Sequence, residues 1–280
     1  MKKLFAVMLA ASIAMAATGC AGQEAAETTA AAETSAETTA TETEAAETEA
    51  DAAETKAADA ETEAAAVMSY DEYMAAELDS AVTIEAYVQA KQSWWEDKAT
   101  IYAQDQDGAY FLYNTACSEE DYEKLVPGTK IRATGYKAEW SGEVEIMDGT
   151  FEFVEGDTYI AEPVYVTELL GTDELISHQN QLVSFKGMTV EAAGQDENGK
   201  DVAYLYNWDG SGTEGDDLYF TVSKDGENYT FLVESYLCGS SSEVYQAVKN
   251  LSIGDTIDME GFLYWYEGVN PHITSVTAAQ

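Results

Sequence analysis

From Val82 to Val88 apolar and polar residues alternate. Val82, Ile84, Ala86 and Val88 fall on one side, Thr83, Glu85 and Tyr87 on the other. A period of two predicts a half-buried strand. Ala99, Ile101 and Ala103 alternate in the same way with Thr100 and Tyr102. Gln106-Asp107-Gly108 then supplies a turn, and Ala109 to Asn114 returns as the second arm of a hairpin. Ser118, with Asp121 three residues on, begins a short helix that Pro127-Gly128 stops. Lys130 to Trp140 reads as a long strand, Ser141-Gly142 as its turn, and Glu143 to Phe153 as its return. The predicted order is strand, hairpin, helix, hairpin.

The pattern is written twice. Leu125-x-x-Gly128-x-x-Ile131-x-Ala133-x-Gly135-Tyr136, followed by Gly142, matches Leu251-x-x-Gly254-x-x-Ile257-x-Met259-x-Gly261-Phe262, followed by Gly268. Upstream, each half has an Asp-Gly turn (Asp107-Gly108, Asp225-Gly226), then Phe-Leu (Phe111-Leu112, Phe231-Leu232), then a cysteine (Cys117, Cys238) before a short helix. An ordered set of matches at fixed spacing is the mark of an internal repeat. The second copy carries an insertion. Val190 to Asn207 reads as an extra hairpin around Asn198-Gly199, with a Gly/Asp-rich loop to Asp217.

This order resembles the OB-fold, a five-stranded Greek-key barrel with a helix between its third and fourth strands. The resemblance covers about residues 78–156 and 165–278 and implies an all-β protein with short helices, two tandem five-stranded OB-fold barrels. Domain limits of 67–160 and 161–280 follow, joined near Ala161–Val164. Gly135 and Gly261 fall mid-strand, where a small barrel bends sharply or carries a bulge. An immunoglobulin-like sandwich is the rival, but it does not predict one short helix at the same place in each copy.

Residues 1–66 have another character. Lys2 and Lys3 precede an apolar run of 14 residues, Leu4 to Ala17, too short for a spanning helix and suited to a signal peptide over 1–19. Ala17-Thr18-Gly19-Cys20 resembles a bacterial lipobox, although Ala17 stands where Leu is usual. The resemblance implies lipidation (palmitate-type acylation) at Cys20 and anchoring to the extracytoplasmic face of a bacterial cell membrane. The 46 residues from 21 to 66 hold 19 Ala, 11 Glu and 10 Thr, with no aromatic residue and no Val, Ile or Leu. Such a chain cannot bury enough apolar area to fold, so a disordered acidic tether over 20–66 is expected. The whole resembles the tethered, acidic surface lipoproteins of Gram-positive bacteria.

Charge changes the functional expectation. Residues 67–280 carry 40 acids and 10 bases, a net of −30, and Arg132 is the sole arginine. OB-folds often bind nucleic acid, but such binding rests on Lys and Arg against phosphate. The charge balance therefore argues against a nucleic-acid partner. Cys117 and Cys238 read as two buried thiols inherited by duplication, with a disulfide between the copies as the alternative. His178 and His272 have no metal spacing and read as loop or edge residues. No nucleophile elbow, phosphate loop or His-Glu-x-x-His is present, and neither enzyme chemistry nor a cofactor is implied. Asn207-x-Asp209-x-Ser211-Gly212-Thr213 has the spacing of a calcium loop's first half, but Leu218 stands where the bidentate Glu belongs, and a plain loop is the favoured reading.

The candidate chemistry is aromatic. OB-folds bind on the second and third strands and the flanking loops. Those places hold Trp94, Trp95, Trp140 and, at outward-capable positions, Tyr102 and Tyr110; the second copy offers Tyr264, Trp265 and Tyr266, with Trp208 in the insertion. Rings on loops suit stacking against sugars or extended peptides, or they close the barrels. The expectation is a membrane-anchored, non-catalytic binding lipoprotein for carbohydrate or peptide. A protein-interaction or adhesion scaffold is one alternative, and a nucleic-acid-binding OB-fold protein, disfavoured by net charge, is another. The oligomeric state is not set by these residues.

Overall fold

The computed structural model describes residues 66–279; Cys20, the expected signal peptide and the expected tether to residue 65 lie outside the described residues. Five strands form the first barrel: β1 (Ala81–Lys91), β2 (Lys98–Gln104), β3 (Ala109–Ala116), β4 (Lys130–Trp140) and β5 (Glu143–Phe153). They close in the order β1-β2-β3-β5-β4, with β3 and β5 parallel and every other pair antiparallel. The alternation of the sequence is the inside and outside of this barrel. Val82, Ile84, Ala86 and Val88 are buried together with Ile101, Leu112, Ile131 and Ile146.

Two helices complete the barrel. Helix α1 (Tyr70–Ala75) precedes β1, and its start is a capping box between Ser69 and Glu72. The Ser69-x-x-Glu72 signal is present in the sequence, but six residues leave no room for an apolar period to announce a helix. Tyr73 of α1 is buried against Tyr110, ring centroids 5.1 Å apart. Helix α2 (Glu119–Lys124) is capped by Ser118, whose hydroxyl accepts from the Asp121 N–H, and it lies between β3 and β4 as the repeat predicts.

The second barrel repeats the design with additions. In chain order these are β6 (Val164–Tyr165), β7 (Leu182–Glu191), β8 (Gly194–Gln195), β9 (Asp201–Val202), β10 (Tyr204–Tyr206), β11 (Leu218–Lys224), β12 (Glu227–Val233), helix α3 (Glu243–Lys249), β13 (Thr256–Phe262) and β14 (His272–Ala278). The ring is β7-β11-β12-β14-β13, with β12 and β14 parallel. The predicted extra hairpin is β8 paired with β9, and β10 adds to the edge of β11. The insertion falls between the first and second barrel strands without opening them, since Thr221 still pairs with Glu191 and Val222 with Val190. Both mid-strand glycines sit at register shifts, Gly135 between Thr134 and Tyr136 and Gly261 after Glu260.

The barrels meet along a seam. Tyr102 of the first stacks on Phe262 of the second at 4.5 Å, and Phe111, Leu182, Leu237 and Tyr264 join them in one apolar cluster. Polar ties flank it. The Leu182 N–H donates to Gln104 Oε1 at 2.9 Å, Gln179 donates to the Gly142 carbonyl at 2.8 Å, and Asn180 donates to the Val144 carbonyl at 3.1 Å. The joining segment is tied down as well, because the Gln89 amide donates to the Tyr159 carbonyl and accepts from the Ala161 N–H.

Candidate functional site: an aromatic cleft between the barrels

Two hairpin turns deliver the first barrel's tryptophans. Trp95 and Lys98 bond to each other across Glu96 and Asp97, both at positive φ (47° and 59°). Trp140 pairs with Glu143 across Ser141 and Gly142, again both positive (50° and 95°). Two-residue turns of this kind follow the twist of the strands and hold the residue just before them in a fixed direction. Each turn is then fastened to the second barrel. The Ser93 N–H donates to the Tyr236 carbonyl at 2.8 Å, and the Glu267 N–H donates to the Ser141 carbonyl at 2.8 Å.

Between these fastenings lies a cleft of about 1080 Å³ lined by both barrels. Trp95, Trp140 and Trp208 stand on it, 68%, 60% and 76% exposed. Tyr113, Tyr219, Tyr236, Tyr264 and Tyr266 add further rings. Deeper in, Tyr264 stacks on His272 at 4.3 Å, and Phe111 meets Tyr264 edge-on at 5.2 Å. His272 is buried, and its Nδ1 shares a 2.6 Å hydrogen bond with the Tyr102 hydroxyl. Burial lowers its pKa to about 3, so the imidazole is neutral. Glu234 is also buried; its carboxyl accepts from the Tyr236 and Leu237 N–H groups and is pushed up to about 7 by burial.

The cleft holds some of the expected site residues and not others. Trp95, Trp140 and Tyr264 line it. Trp94 does not: its indole N–H donates to the Cys117 carbonyl at 2.8 Å and its ring packs on the first core. Trp265 packs on the second core and over Gly142. The expected outward placement of Tyr102 and Tyr110 is corrected. Tyr102 is buried in the seam because the second barrel covers the outer face of β2, whereas Tyr110 faces inward with Leu112 in the first core, against Tyr70 and Tyr73 of α1. His272 is corrected likewise, from an edge residue to a buried one that helps close its barrel; His178 bonds only to nearby Gln181. Sequence reasoning did not single out Tyr113, Tyr219, Tyr236, Asp217 or Glu234. Only the alignment of the two barrels brings them together.

Cys117 and Cys238 are free thiols, and burial pushes each up to about 11. Among the described residues no three His, Cys, Asp or Glu side chains form a group that could hold a metal ion. In the loop with calcium-like spacing, the Asp209 carboxylate accepts from the Ser211 N–H.

No protein-family model matches the chain, and no curated protein matches it. Solved structures do resemble it. A murine DNA-binding protein bound to double-stranded DNA is 11% identical, with 71% of this chain and 96% of that one covered and a TM-score of 0.34. The Ifi202 HINa domain in complex with a 20-base-pair duplex is 12% identical, covering 72% and 97%, with a TM-score of 0.31. A replication protein A heterotrimer bound to single-stranded DNA is 12% identical, covering 71% and 49%, with a TM-score of 0.30. The assignment of tandem OB barrels rests on the strand pairing itself. The expectation drawn from charge against a nucleic-acid partner is corrected, since the solved structures this chain resembles include these DNA complexes. Net charge belongs to the whole surface, whereas bases stack on local aromatic faces.

Proposed function

We propose that this is a lipid-anchored, extracytoplasmic binding protein that performs no catalysis and holds a ring-bearing ligand, an oligosaccharide, in the cleft between its barrels. The observation that carries the reading is the exposure of three of the chain's five tryptophans on one cleft whose walls come from both barrels. Exposed indoles beside tyrosines leave apolar faces in water that a sugar ring covers by stacking. The lipobox-like Cys20 and the acidic tether support the location.

A second reading is single-stranded nucleic acid stacking on the same rings, supported by the DNA complexes among similar structures. Titration of the full chain with neutral oligosaccharides and with oligodeoxynucleotides, followed by tryptophan fluorescence, separates the two. Under either reading Trp95→Ala, Trp140→Ala or Trp208→Ala weakens binding while the fold is kept. Binding that survives all three changes rejects the cleft as the site. Cys20→Ala is expected to release the protein from the membrane, and its retention there would reject the anchor.

A further inference from the structure

The walls of the cleft and its polar groups differ in kind. Three carboxyl residues line it, Asp217, Glu234 and Glu267, against one ammonium, Lys98. Elsewhere some carboxylates are matched: Glu85 pairs with Lys130 and Arg132, and Glu214 with Lys249. Among the described residues the three cleft carboxyls appear in no ion pair. Glu234 is only 8% exposed, and its oxygens receive backbone N–H groups alone. A buried carboxylate without a countercharge is costly, and it takes up a proton or waits for a cation. The faces of Trp and Tyr beside it attract cations through their ring quadrupoles. Stacking walls and unmatched acids therefore meet in one cavity.

Resting on the binding reading above, we propose that the cleft selects a ligand carrying both ring faces and positive charge, namely an oligosaccharide of amino sugars with free ammonium groups. The rings lie on Trp95, Trp140 and Trp208. The ammonium groups meet Asp217, Glu234 and Glu267.

Calorimetric titration of the full chain with a glucosamine tetrasaccharide and with its fully N-acetylated counterpart tests this, because the two share rings and differ in charge. The amine is expected to bind about tenfold more tightly, equivalent to ~1.4 kcal/mol. Glu267→Gln and Asp217→Asn each lower the preference for the amine over the acetylated sugar severalfold. Glu267 is exposed and its side chain makes no hydrogen bond that folding needs, so its variant keeps the test valid if Asp217→Asn misfolds. Oligolysine, cationic but without sugar rings, is expected to bind more weakly and with no dependence on Trp140. Equal or tighter binding of the acetylated sugar, lost in Trp140→Ala, overturns the charge preference and leaves the cleft reading standing. Equal binding of oligolysine overturns it as general attraction to an acidic surface. Failure of both sugars to bind removes both readings, and tighter binding of an oligothymidylate at the same rings replaces them with the nucleic-acid reading.

Discussion

Gly261 occupies a place that no side chain fits. A Cβ there would lie 2.3 Å from the His272 carbonyl oxygen and 2.7 Å from the Ile273 Cα, both backbone atoms of the neighbouring strand. Gly261→Ala is therefore expected to destabilise the protein by about 1–3 kcal/mol or more, read from urea midpoints. Gly135→Ala meets Ile146 Cγ2, a methyl of a buried β-branched side chain, at 2.6 Å and the Met147 carbonyl oxygen at 2.7 Å, and a comparable loss is expected. An unchanged midpoint for Gly261→Ala would reject the tight closure. The thiols give a second residue-scale expectation. With both pushed up to about 11, their thiolate fraction at pH 8 is about a hundredfold below that of an ordinary cysteine. Labelling of Cys117 and Cys238 by a disulfide reagent should be slow in the native protein and fast after denaturation, with both found as thiols and no reductant added. These glycines and cysteines were legible in the sequence because a repeat exposes them as paired positions.

At the scale of elements, helix α1 depends on a lysine from another strand. The Lys137 ammonium donates to the carbonyls of Tyr73, Met74 and Ala76, at 3.1, 2.7 and 2.9 Å. These carbonyls lie at the end of the helix, where Tyr73 accepts only the Ala76 N–H besides the lysine and the macrodipole favours a positive charge. Lys137→Met keeps the aliphatic stem and removes the clasp. A new protease cut ahead of β1, with a stability loss of about 1–3 kcal/mol, is the expected result. On the seam, Glu143 accepts from the Trp265 N–H and Gln179, and burial pushes its pKa from 4.5 up to about 8. Between those values the unfolded chain releases a proton that the folded chain still holds, so stability falls as pH rises through this window. Glu145 and Glu234, each raised to about 7 by burial, add to the decline over the lower part. Melting of wild type and Glu143→Gln at pH 5 and pH 8 checks this, with the variant expected to lose less on going to pH 8; parallel losses would reject it. The strand alternation that revealed β1 to β5 could not reveal this seam. Glu143 and Glu145 alternate with core residues Val144 and Ile146 like any outward-facing polar pair, and nothing local says that another barrel covers them. For the same reason Tyr102 reads as an exposed ring.

At the scale of the molecule, the two barrels share side chains they cannot separately bury. Tyr102, Phe111, Phe262 and Tyr264 would face water if either barrel stood alone. One cooperative unfolding transition is expected for wild type, and two for Tyr102→Ala, which removes the ring stacked on Phe262. A single sharp transition in that variant would show that the seam does not couple the barrels through this ring. The tandem architecture was legible in the repeat, whereas the cleft was only partly so. Its tryptophans announced themselves by residue type. Its acids were lost in a chain with 53 of them, and its tyrosines converge only when strands far apart in sequence are set side by side.

The fastening of Ser93 to Tyr236 joins residues 143 positions apart. Within the first barrel, by contrast, closure of β1 on β4 joins Ala81 to Tyr136. Contacts that close longer loops carry a larger entropic cost and tend to form later. The cleft is thus expected to form late in folding. A nascent or truncated chain that stops before β14 lacks His272 from its lining and the parallel pairing that completes the second barrel. Binding competence therefore reports on the completion of the whole fold.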